Sequence, residues 1–370
     1  MKPPYLLLGN HGSVMDPFFV NSFVPAPIHY VVSDSNFRSR IVDFGLSLVG
    51  GIPKTKALSD LETVKNIIKI KSNRGIIGVF PEGQSTWDGH TLPVYYSTAK
   101  LVKSLKIPVV IAKSRGAFLS LPRWARSYRR GLITVSYEMG FTPEELKRSS
   151  VEDVYRKVVR LLDHDEFEHQ QQLMVPYRGP NRAEYLEIVL FVCPNCHGIS
   201  TLESDKHFLR CRRCKYTVRY TVYGDFEAHS GPRHFRTLRE WNVWQTSYAE
   251  TLLDRHLDQE SEEEIFADEQ VIAQKGFKSS PLEKFHEGRL SLYTDRIVLR
   301  PRDGSPEVAF HHRLIEGINV QNSEHLEFYY EGELFRITIR SRRGNTYKWN
   351  LAVRHIQHRS REVSVVQEGM

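Results

Sequence analysis

The chain has 370 residues and a formal net charge of +7 at pH 7, and this length allows two or three domains with cores of their own. Its composition, 40% hydrophobic and 26% charged, is that of a soluble globular protein. No apolar run approaches the roughly 18 residues of a membrane-spanning helix, and the first residues do not form a signal peptide, so we expect a cytoplasmic protein. An isoelectric point near 9.1 suits an anionic partner such as phosphate, a phospholipid surface or nucleic acid.

The first half of the chain alternates predicted strands with predicted helices. Strand-like apolar runs recur at residues 5–9, 28–32, 76–80, 107–112 and 132–137. A capping box at residues 59–62 precedes a helix with one apolar face, formed by Leu61, Val64, Ile67 and Ile68. Two more helices are predicted to begin after Thr142 and Ser150. The alternation predicts an α/β domain over residues 1–185, with a mainly parallel sheet flanked by helices.

Two short loops follow strands of this sheet, at residues 10–16 and 80–86. Open α/β sheets place their ligands at such strand ends. The first loop supplies His11 and Asp16, with Asp16 predicted in the first turn of a helix beginning near Val14, and the second supplies Glu82. A carboxylate bonded to one imidazole nitrogen raises the basicity of the other, which would prepare His11 to take a proton from an alcohol. The sequence has no G-x-S-x-G elbow, so the nucleophile is expected to be the substrate's own hydroxyl.

An H-x4-D pattern alone is weak, because with 16 histidines about one such match arises by chance. A histidine that merely pairs with a neighbouring carboxylate is therefore the alternative interpretation. The second loop favours the catalytic one, because the sequence carries four blocks in a fixed order: N-H-x4-D at 10–16 with Ser13 and Pro17, a glycine-rich strand ending at Lys54, F-P-E-G at 80–83, and an apolar strand with proline at 107–111. Over residues 1 to about 180 the chain thereby resembles the glycerolipid (lysophosphatidate-type) acyltransferase family.

The resemblance implies a reaction and a set of site residues. His11 would be the general base that deprotonates a glycerol-type hydroxyl, and Asp16 would orient its ring. The hydroxyl of a lysophospholipid or related acceptor would attack the thioester of acyl-CoA or acyl carrier protein, in phospholipid biosynthesis or remodelling. Substrate binding is expected at Asn10, Ser13, Lys54, Glu82, Gly83 and Ser85. Of these, Lys54 would meet the acceptor's phosphate, and Glu82 with Gly83 would position its glycerol end.

The sequence departs from the family pattern in two places. Ser85 stands where the third block has an arginine, and a hydroxyl cannot replace a guanidinium that grips phosphate. Either another cation supplies the charge, or the acceptor is not lysophosphatidate; the cations considered are Lys54, Lys56, Lys113 and Arg115. Only nine residues precede Asn10, where members usually carry an apolar segment. Either the start codon lies further upstream, or the enzyme meets the bilayer by its surface alone.

A candidate membrane surface lies at residues 119–130, which combine four arginines with Trp124, Tyr128 and two leucines. Arginines attract anionic headgroups, and aromatic residues settle at the interface. The predicted location is therefore peripheral, at the cytoplasmic face of an anionic membrane. A solvated loop packed by one tryptophan is the alternative.

The only four cysteines form two C-x-x-C pairs, Cys193 with Cys196 and Cys211 with Cys214. This pattern predicts a small zinc ribbon over residues 186–225, with a structural ion that has no open coordination position. Residues 193–197 also read C-x-x-C-H, the pattern of haem attachment, but the second pair demands a partner. The ribbon also carries basic residues, namely Lys206, Arg210, Arg212, Arg213 and Lys215. They leave nucleic-acid binding open beside a scaffolding role, although nucleic acid is not the partner expected for the chain as a whole.

The rest of the chain is predicted as a helical and acidic connector, 226–275, and a β-rich domain, 276–370. A meander with a closing helix at 347–357 resembles a pleckstrin-homology (PH) or GRAM-type domain. Four arginines could contact an acidic lipid headgroup, namely Arg336, Arg340, Arg342 and Arg343; a protein-docking or purely structural module is the alternative. For the whole chain, the alternative to an enzyme is an inactive acyltransferase-like scaffold that binds protein or nucleic acid.

Overall fold

The computed structural model describes residues 1–38, 44, 46, 50–54, 61–277, 280–341 and 344–368. The chain divides into two compact units. Unit 1 is Met1–Arg182 with Thr221–Asp225, and unit 2 is Ala183–Tyr220 with Phe226–Met370. None of the helices in these ranges combines the length and apolar composition that crossing a bilayer requires. The four predicted domain boundaries stay a prediction.

Unit 1 is built on a six-stranded sheet in the order β3-β2-β4-β1-β5-β6. Its strands are β1 Tyr5–Gly9, β2 Ile28–Ser33, β3 Ile52–Lys54, β4 Ile76–Val79, β5 Val109–Arg115 and β6 Thr134–Phe141. The first five are parallel, and β6 runs antiparallel to β5. The central strand β1 is buried along its whole length, as expected of a parallel strand covered on both faces. The predicted mainly parallel α/β sheet is confirmed.

Seven helices accompany this sheet in the described part of unit 1. They are α1 Asp16–Asn21, α2 Leu61–Ser72, α3 Tyr96–Leu105, α4 Ala117–Ser120, α5 Pro143–Arg148, α6 Val151–Leu162 and α7 Glu166–Leu173. One core cluster includes Ile67, Val102 and Val158, and a second includes Leu7 and Val20. The helices α5 and α6 begin with capping boxes at the predicted residues, Thr142 and Ser150.

The predicted apolar face of α2 is wrong for three of its four residues. Leu61, Val64 and Ile68 are 72%, 44% and 51% exposed, whereas Thr63 and Ile67 are buried. The Thr63 hydroxyl donates to the carbonyl of Pro53 at 2.7 Å, so a polar residue occupies the buried face at little cost. Ser59 and Asp60 of the predicted capping box lie outside the described residues.

Unit 2 contains a four-stranded antiparallel sheet in the order β10-β9-β8-β7 and a seven-stranded antiparallel sheet in the order β14-β13-β12-β11-β17-β16-β15. The small sheet consists of β7 Leu202–Asp205, β8 Phe208–Cys211, β9 Thr217–Tyr220 and β10 Phe226–Ser230. The large sheet consists of β11 Phe266–Gly276, β12 Glu283–Leu292, β13 Arg296–Pro301, β14 Val308–His311, β15 Ile315–Gln321, β16 His325–Tyr330 and β17 Glu333–Ile339. The unit also contains two α-helices with described bounds, α8 Leu238–Asp258 and α9 Thr346–Glu368, and short 3₁₀ helices at Leu186–Ile188 and His312–Leu314.

One strand of the large sheet falls in the segment predicted as a connector. β11 pairs with β12 on one side and β17 on the other, which makes it the middle strand of the seven. Its sequence includes Asp268, Glu269 and Gln270, and this polar run hid the strand pattern. From Phe266 onward, a strand of the large sheet therefore lies where the sequence analysis expected a connector.

Candidate active site

The two predicted loops leave neighbouring strands of the sheet at the same edge. β1 pairs in parallel with β4, so the loop after Gly9 and the loop after Val79 emerge side by side. The backbone N–H of Thr86 donates to the carbonyl of His11 at 2.9 Å. The backbone N–H of His11 in turn donates to Glu82 Oε1 at 2.7 Å. The structure therefore brings the two loops into direct contact.

His11 and Asp16 form the predicted pair. Nδ1 of His11 lies 3.0 Å from Oδ2 of Asp16, and the backbone N–H of Ser13 donates to the same oxygen at 2.8 Å. Helix α1 begins at Asp16 itself, after Met15 as N-cap, and not near Val14. Complete burial raises the pKa of Asp16, opposed by its bonds to His11 and Ser13. Because Nδ1 is engaged, Nε2 of the 16% exposed imidazole is the nitrogen that can accept a proton from a substrate.

Stacked rings fix the plane of the imidazole. The ring of Phe80 lies 4.5 Å from that of His11, centroid to centroid, and Tyr30 stacks on Phe80 at 5.6 Å. A Cβ at position 9 would come within 2.6 Å of the Phe80 ring, so this strand end requires glycine. His11 is thus oriented by the carboxylate of Asp16 from the first loop and by the aromatic face of Phe80 from the second.

Glu82 connects the two loops through its carboxyl group. It is buried; Oε1 accepts from His11 N and Oε2 accepts from Leu92 N at 2.8 Å. Burial raises the pKa of Glu82 from 4.5 to about 8, opposed by the two backbone N–H groups. Both oxygens therefore bind backbone of the site, and the predicted contact with the glycerol end of a substrate stays a prediction.

We expect Glu82→Gln to remove a pH dependence of stability. With a pKa raised by folding, native Glu82 keeps its proton between pH 4.5 and about 8 while the unfolded chain releases it. The free energy of unfolding should then fall by up to about 1.4 kcal/mol per pH unit as the pH rises. Urea unfolding at pH 5, 6.5 and 8 should show this fall in the wild type and in a control variant at exposed Glu144, Glu144→Gln, but not in Glu82→Gln. The same slope in all three proteins would contradict the assignment.

Other predicted substrate-binding residues also contact the backbone of the site. The Asn10 amide accepts from Ser114 N at 2.8 Å and donates to Ser114 O at 2.9 Å, and the Ser13 hydroxyl donates to Leu121 O at 2.8 Å. Ser85 is buried, and Gly83 turns the second loop with φ +72°.

Lys54 is exposed at the end of β3, separated from β1 by β2 and β4 in the sheet order. The roles of these residues toward a substrate stay predictions.

Two of the cations considered as substitutes for the missing arginine are bound elsewhere. Lys113 Nζ donates to the carbonyl of Asp163 at 3.0 Å, and Arg115 Nη1 donates to the Ser136 hydroxyl at 3.0 Å. Lys56 lies outside the described residues. A cation that does contact the second loop is Arg123, which lies in the segment that the sequence analysis assigned to a membrane surface. Its position follows from tertiary packing, and no spacing pattern in the sequence signals it.

Five of the twelve residues of the predicted membrane surface at 119–130 are buried, and four more are half-buried. Trp124 and Arg129 are each 1% exposed. The Arg129 guanidinium donates to the carbonyls of Arg182 at 2.7 Å and Leu119 at 3.3 Å, and it lies 4.7 Å from the centroid of the Trp124 ring. Carbonyl acceptors and an aromatic face make a buried guanidinium tolerable. Only part of this segment remains exposed, notably Arg126, Tyr128 and Arg130.

The four cysteines of unit 2 converge. Their Sγ atoms all lie within 4.8 Å of one another, and the cysteines form no disulfide. The closest approaches are 3.7 Å, from Cys193 to Cys214 and from Cys196 to Cys211. Four convergent thiols at these separations could bind a metal ion tetrahedrally.

Of the four arginines predicted to contact an acidic lipid headgroup, Arg336 is paired within the protein. Arg336 donates through Nε and Nη2 to Oε1 of buried Glu327, at 2.7 and 2.6 Å, so its charge is paired across neighbouring strands. A contact of Arg336 with a lipid headgroup stays a prediction. Arg340 is exposed, and Arg342 and Arg343 lie outside the described residues.

The first part of the chain is similar to known proteins. Residues 1–112 match the family model described as "Acyltransferase", so an acyltransferase-family domain occupies this part of the chain. A 1-acyl-sn-glycerol-3-phosphate acyltransferase of Saccharomyces cerevisiae (strain ATCC 204508 / S288c) is 24% identical over 163 residues, which are 42% of this chain and 54% of that protein. The chain thus spans about half the length of this curated relative.

A solved structure is also similar. It is the 1-acyl-sn-glycerophosphate (LPA) acyltransferase PlsC from Thermotoga maritima, with a TM-score of 0.39 and 19% sequence identity. The match covers 44% of this chain and 64% of that one.

Proposed function

We propose that the chain is an O-acyltransferase that transfers a fatty acyl group to the hydroxyl of a lysophospholipid or related glycerol-type acceptor. The donor in this proposal is acyl-CoA or acyl carrier protein. The observation that carries the proposal is the 3.0 Å contact between His11 Nδ1 and Asp16 Oδ2, held against the second loop inside an acyltransferase-family domain. The similarity to an acyltransferase that acts on 1-acyl-sn-glycerol-3-phosphate supports the acceptor class.

In this mechanism, Nε2 of His11 takes the proton of the acceptor hydroxyl as the oxygen attacks the thioester carbonyl. The C–S bond then breaks, and the imidazolium returns the proton to the departing thiolate. Asp16 stabilises the imidazolium through Nδ1. General base catalysis of this kind contributes about 10²–10⁴-fold in rate.

The test is the release of free CoA from acyl-CoA over a panel of lysolipids, with wild type and His11→Ala compared at equal concentration. We expect turnover with at least one glycerol-type acceptor and a loss of at least about 10²-fold in His11→Ala. Turnover independent of His11 would refute the mechanism. If no acceptor or donor supports turnover, the remaining interpretation is an inactive acyltransferase-like scaffold. No observed feature of the site favours that interpretation.

We further propose that the four convergent thiols hold a structural zinc ion. The donor set supports this assignment, because four thiolates at tetrahedral separation suit Zn²⁺ and leave no position for substrate. In the protein, the ion would connect the turn at Cys193–Cys196 to the turn at Cys211–Cys214.

We expect metal removal to destabilise unit 2. Purified protein should contain about one zinc per chain by elemental analysis, and Cys214→Ser should lose it. Unfolding of that variant should begin at lower urea, and a chelator should shift the wild type in the same direction. A metal-free wild type with unchanged unfolding in the presence of chelator would exclude a structural ion.

We also propose a peripheral location at the cytoplasmic face of an anionic membrane. Exposed Arg126, Arg130 and Tyr128 support it, together with exposed apolar side chains at the first loop and α1, Val14 and Phe18. The seven-stranded antiparallel sheet followed by α9 supports a PH- or GRAM-like identity for the C-terminal part. Sedimentation with anionic vesicles, and not with neutral ones, is expected; equal sedimentation with both would reject the electrostatic contact.

A further inference from the structure

The second loop has no basic residue of its own, but a positively charged side chain from another segment contacts it. Nη1 of Arg123 donates to the carbonyl of Ser85 at 2.8 Å and to Gln84 Oε1 at 3.2 Å. Ser85 is the residue that stands in place of the family's third-block arginine. A guanidinium therefore reaches this position of the loop from a segment almost forty residues further along the chain.

The segment that carries Arg123 is bound to both loops of the candidate site. The hydroxyl of Ser13, in the first loop, donates to the carbonyl of Leu121 at 2.8 Å. Two residues later, Arg123 contacts the second loop. The stretch from Leu121 to Arg123 is therefore a third part of the site, beside the loops that carry His11 and Glu82.

The Arg123 guanidinium is held in a defined orientation. Its central carbon lies 3.7 Å from the centroid of the Trp87 ring, and Trp87 is only 2% exposed. Stacking on a rigid indole fixes the plane of the fork while the side chain remains partly exposed. A guanidinium fixed in this way loses little conformational entropy when it binds an anion.

We propose that Arg123 binds the phosphate of the acceptor, and so replaces the arginine that is absent at position 85. This inference rests on the proposed acyltransferase function and assigns the charged end of its substrate. Arg123 is a binding residue in this assignment, and the proton transfer remains with His11. Acyl-CoA also carries phosphates, so the experiment must separate the acceptor from the donor.

The test compares Arg123→Gln and Arg123→Lys with the wild type and with Arg148→Gln, a control at an exposed arginine of α5. Acceptors are a short-chain lysophosphatidate and the monoacylglycerol with the same acyl chain. We expect Arg123→Gln to raise the KM for lysophosphatidate tenfold or more, with Arg123→Lys intermediate. The kcat/KM for monoacylglycerol should fall at least about tenfold less than that for lysophosphatidate, because monoacylglycerol has no phosphate for Arg123 to bind. The KM for acyl-CoA should stay within about twofold of the control, and the thermal midpoint within about 2 °C.

Equal losses with both acceptors would show that Arg123 only supports the loop, and an increase confined to the KM for acyl-CoA would show that it binds the donor; either result overturns the proposal. An unchanged KM for lysophosphatidate would do the same. If the wild type acylates no acceptor, the proposed function fails by itself. Calorimetric titration with glycerol 3-phosphate then tests the role of Arg123 directly. If Arg123 binds the phosphate, Arg123→Gln must bind glycerol 3-phosphate more weakly than the wild type does.

Discussion

Replacing Asp16 by asparagine should lower kcat for acyl transfer by about 10²–10⁴-fold while leaving the fold of unit 1 in place. The substitution removes the negative charge that stabilises a protonated His11. It also places an amide group where Oδ2 accepts from both His11 Nδ1 and Ser13 N. Asp16 Oδ1 has no hydrogen-bond partner among the described residues, so an NH2 at that position would be buried without an acceptor. An NH2 turned toward His11 would instead favour the wrong tautomer.

The decisive measurement is a set of kcat values for Asp16→Asn, His11→Ala and the double variant. Because both residues act in one step, the double variant should be no slower than His11→Ala by more than about threefold. Asp205→Asn, at an exposed residue of unit 2, is the matched control and should retain wild-type activity. Full activity in Asp16→Asn would assign the pair to structure alone.

The sequence predicts the sheet and the His11–Asp16 contact for a local reason. Continuous apolar runs such as Tyr5–Leu8 determine buried parallel strands, and adjacent parallel strands place the loops that follow them at one edge. His11 and Asp16 are five residues apart on one loop, so their contact requires no long-range packing. Glu82 joins these two residues in the candidate site because its loop follows β4, the direct neighbour of β1.

Contacts between distant segments explain the errors. Arg129 is basic and lies in a segment with Trp124 and Tyr128, which is typical of a membrane surface. It is nevertheless buried, and its guanidinium donates to the carbonyl of Arg182, more than fifty residues away. The sequence likewise could not place Arg123 beside Ser85, because no pattern links the segment after α4 to the second loop. For α2, the pattern of apolar residues does not reveal that Thr63 finds an acceptor at Pro53.

The seven-stranded sheet and α9 are joined by a buried ion pair, whose disruption should have the largest effect on stability. Lys348 Nζ lies 2.9 Å from Asp268 Oδ2, with side chains 2% and 7% exposed. It also donates to the Ser200 hydroxyl at 2.8 Å, and Asp268 accepts from Trp349 Nε1 at 2.7 Å. Burial lowers the pKa of Lys348, opposed by Asp268. Each of the two charges is therefore stabilised mainly by the other, because burial shields both side chains from solvent.

We expect Lys348→Met to reduce the free energy of unfolding of unit 2 by about 3–5 kcal/mol, because it leaves the Asp268 carboxylate buried without its cation. The double variant Lys348→Met/Asp268→Asn should recover much of this loss, since the amide oxygen can still accept from Trp349 and no charge remains. Lys284→Met is the control: it breaks an exposed pair with Glu287 at 3.0 Å and should cost less than about 1 kcal/mol. Urea unfolding followed by tryptophan fluorescence measures all three. If the double variant is no more stable than Lys348→Met, the cost comes from lost packing around the lysine stem, and the uncompensated charge is not its cause.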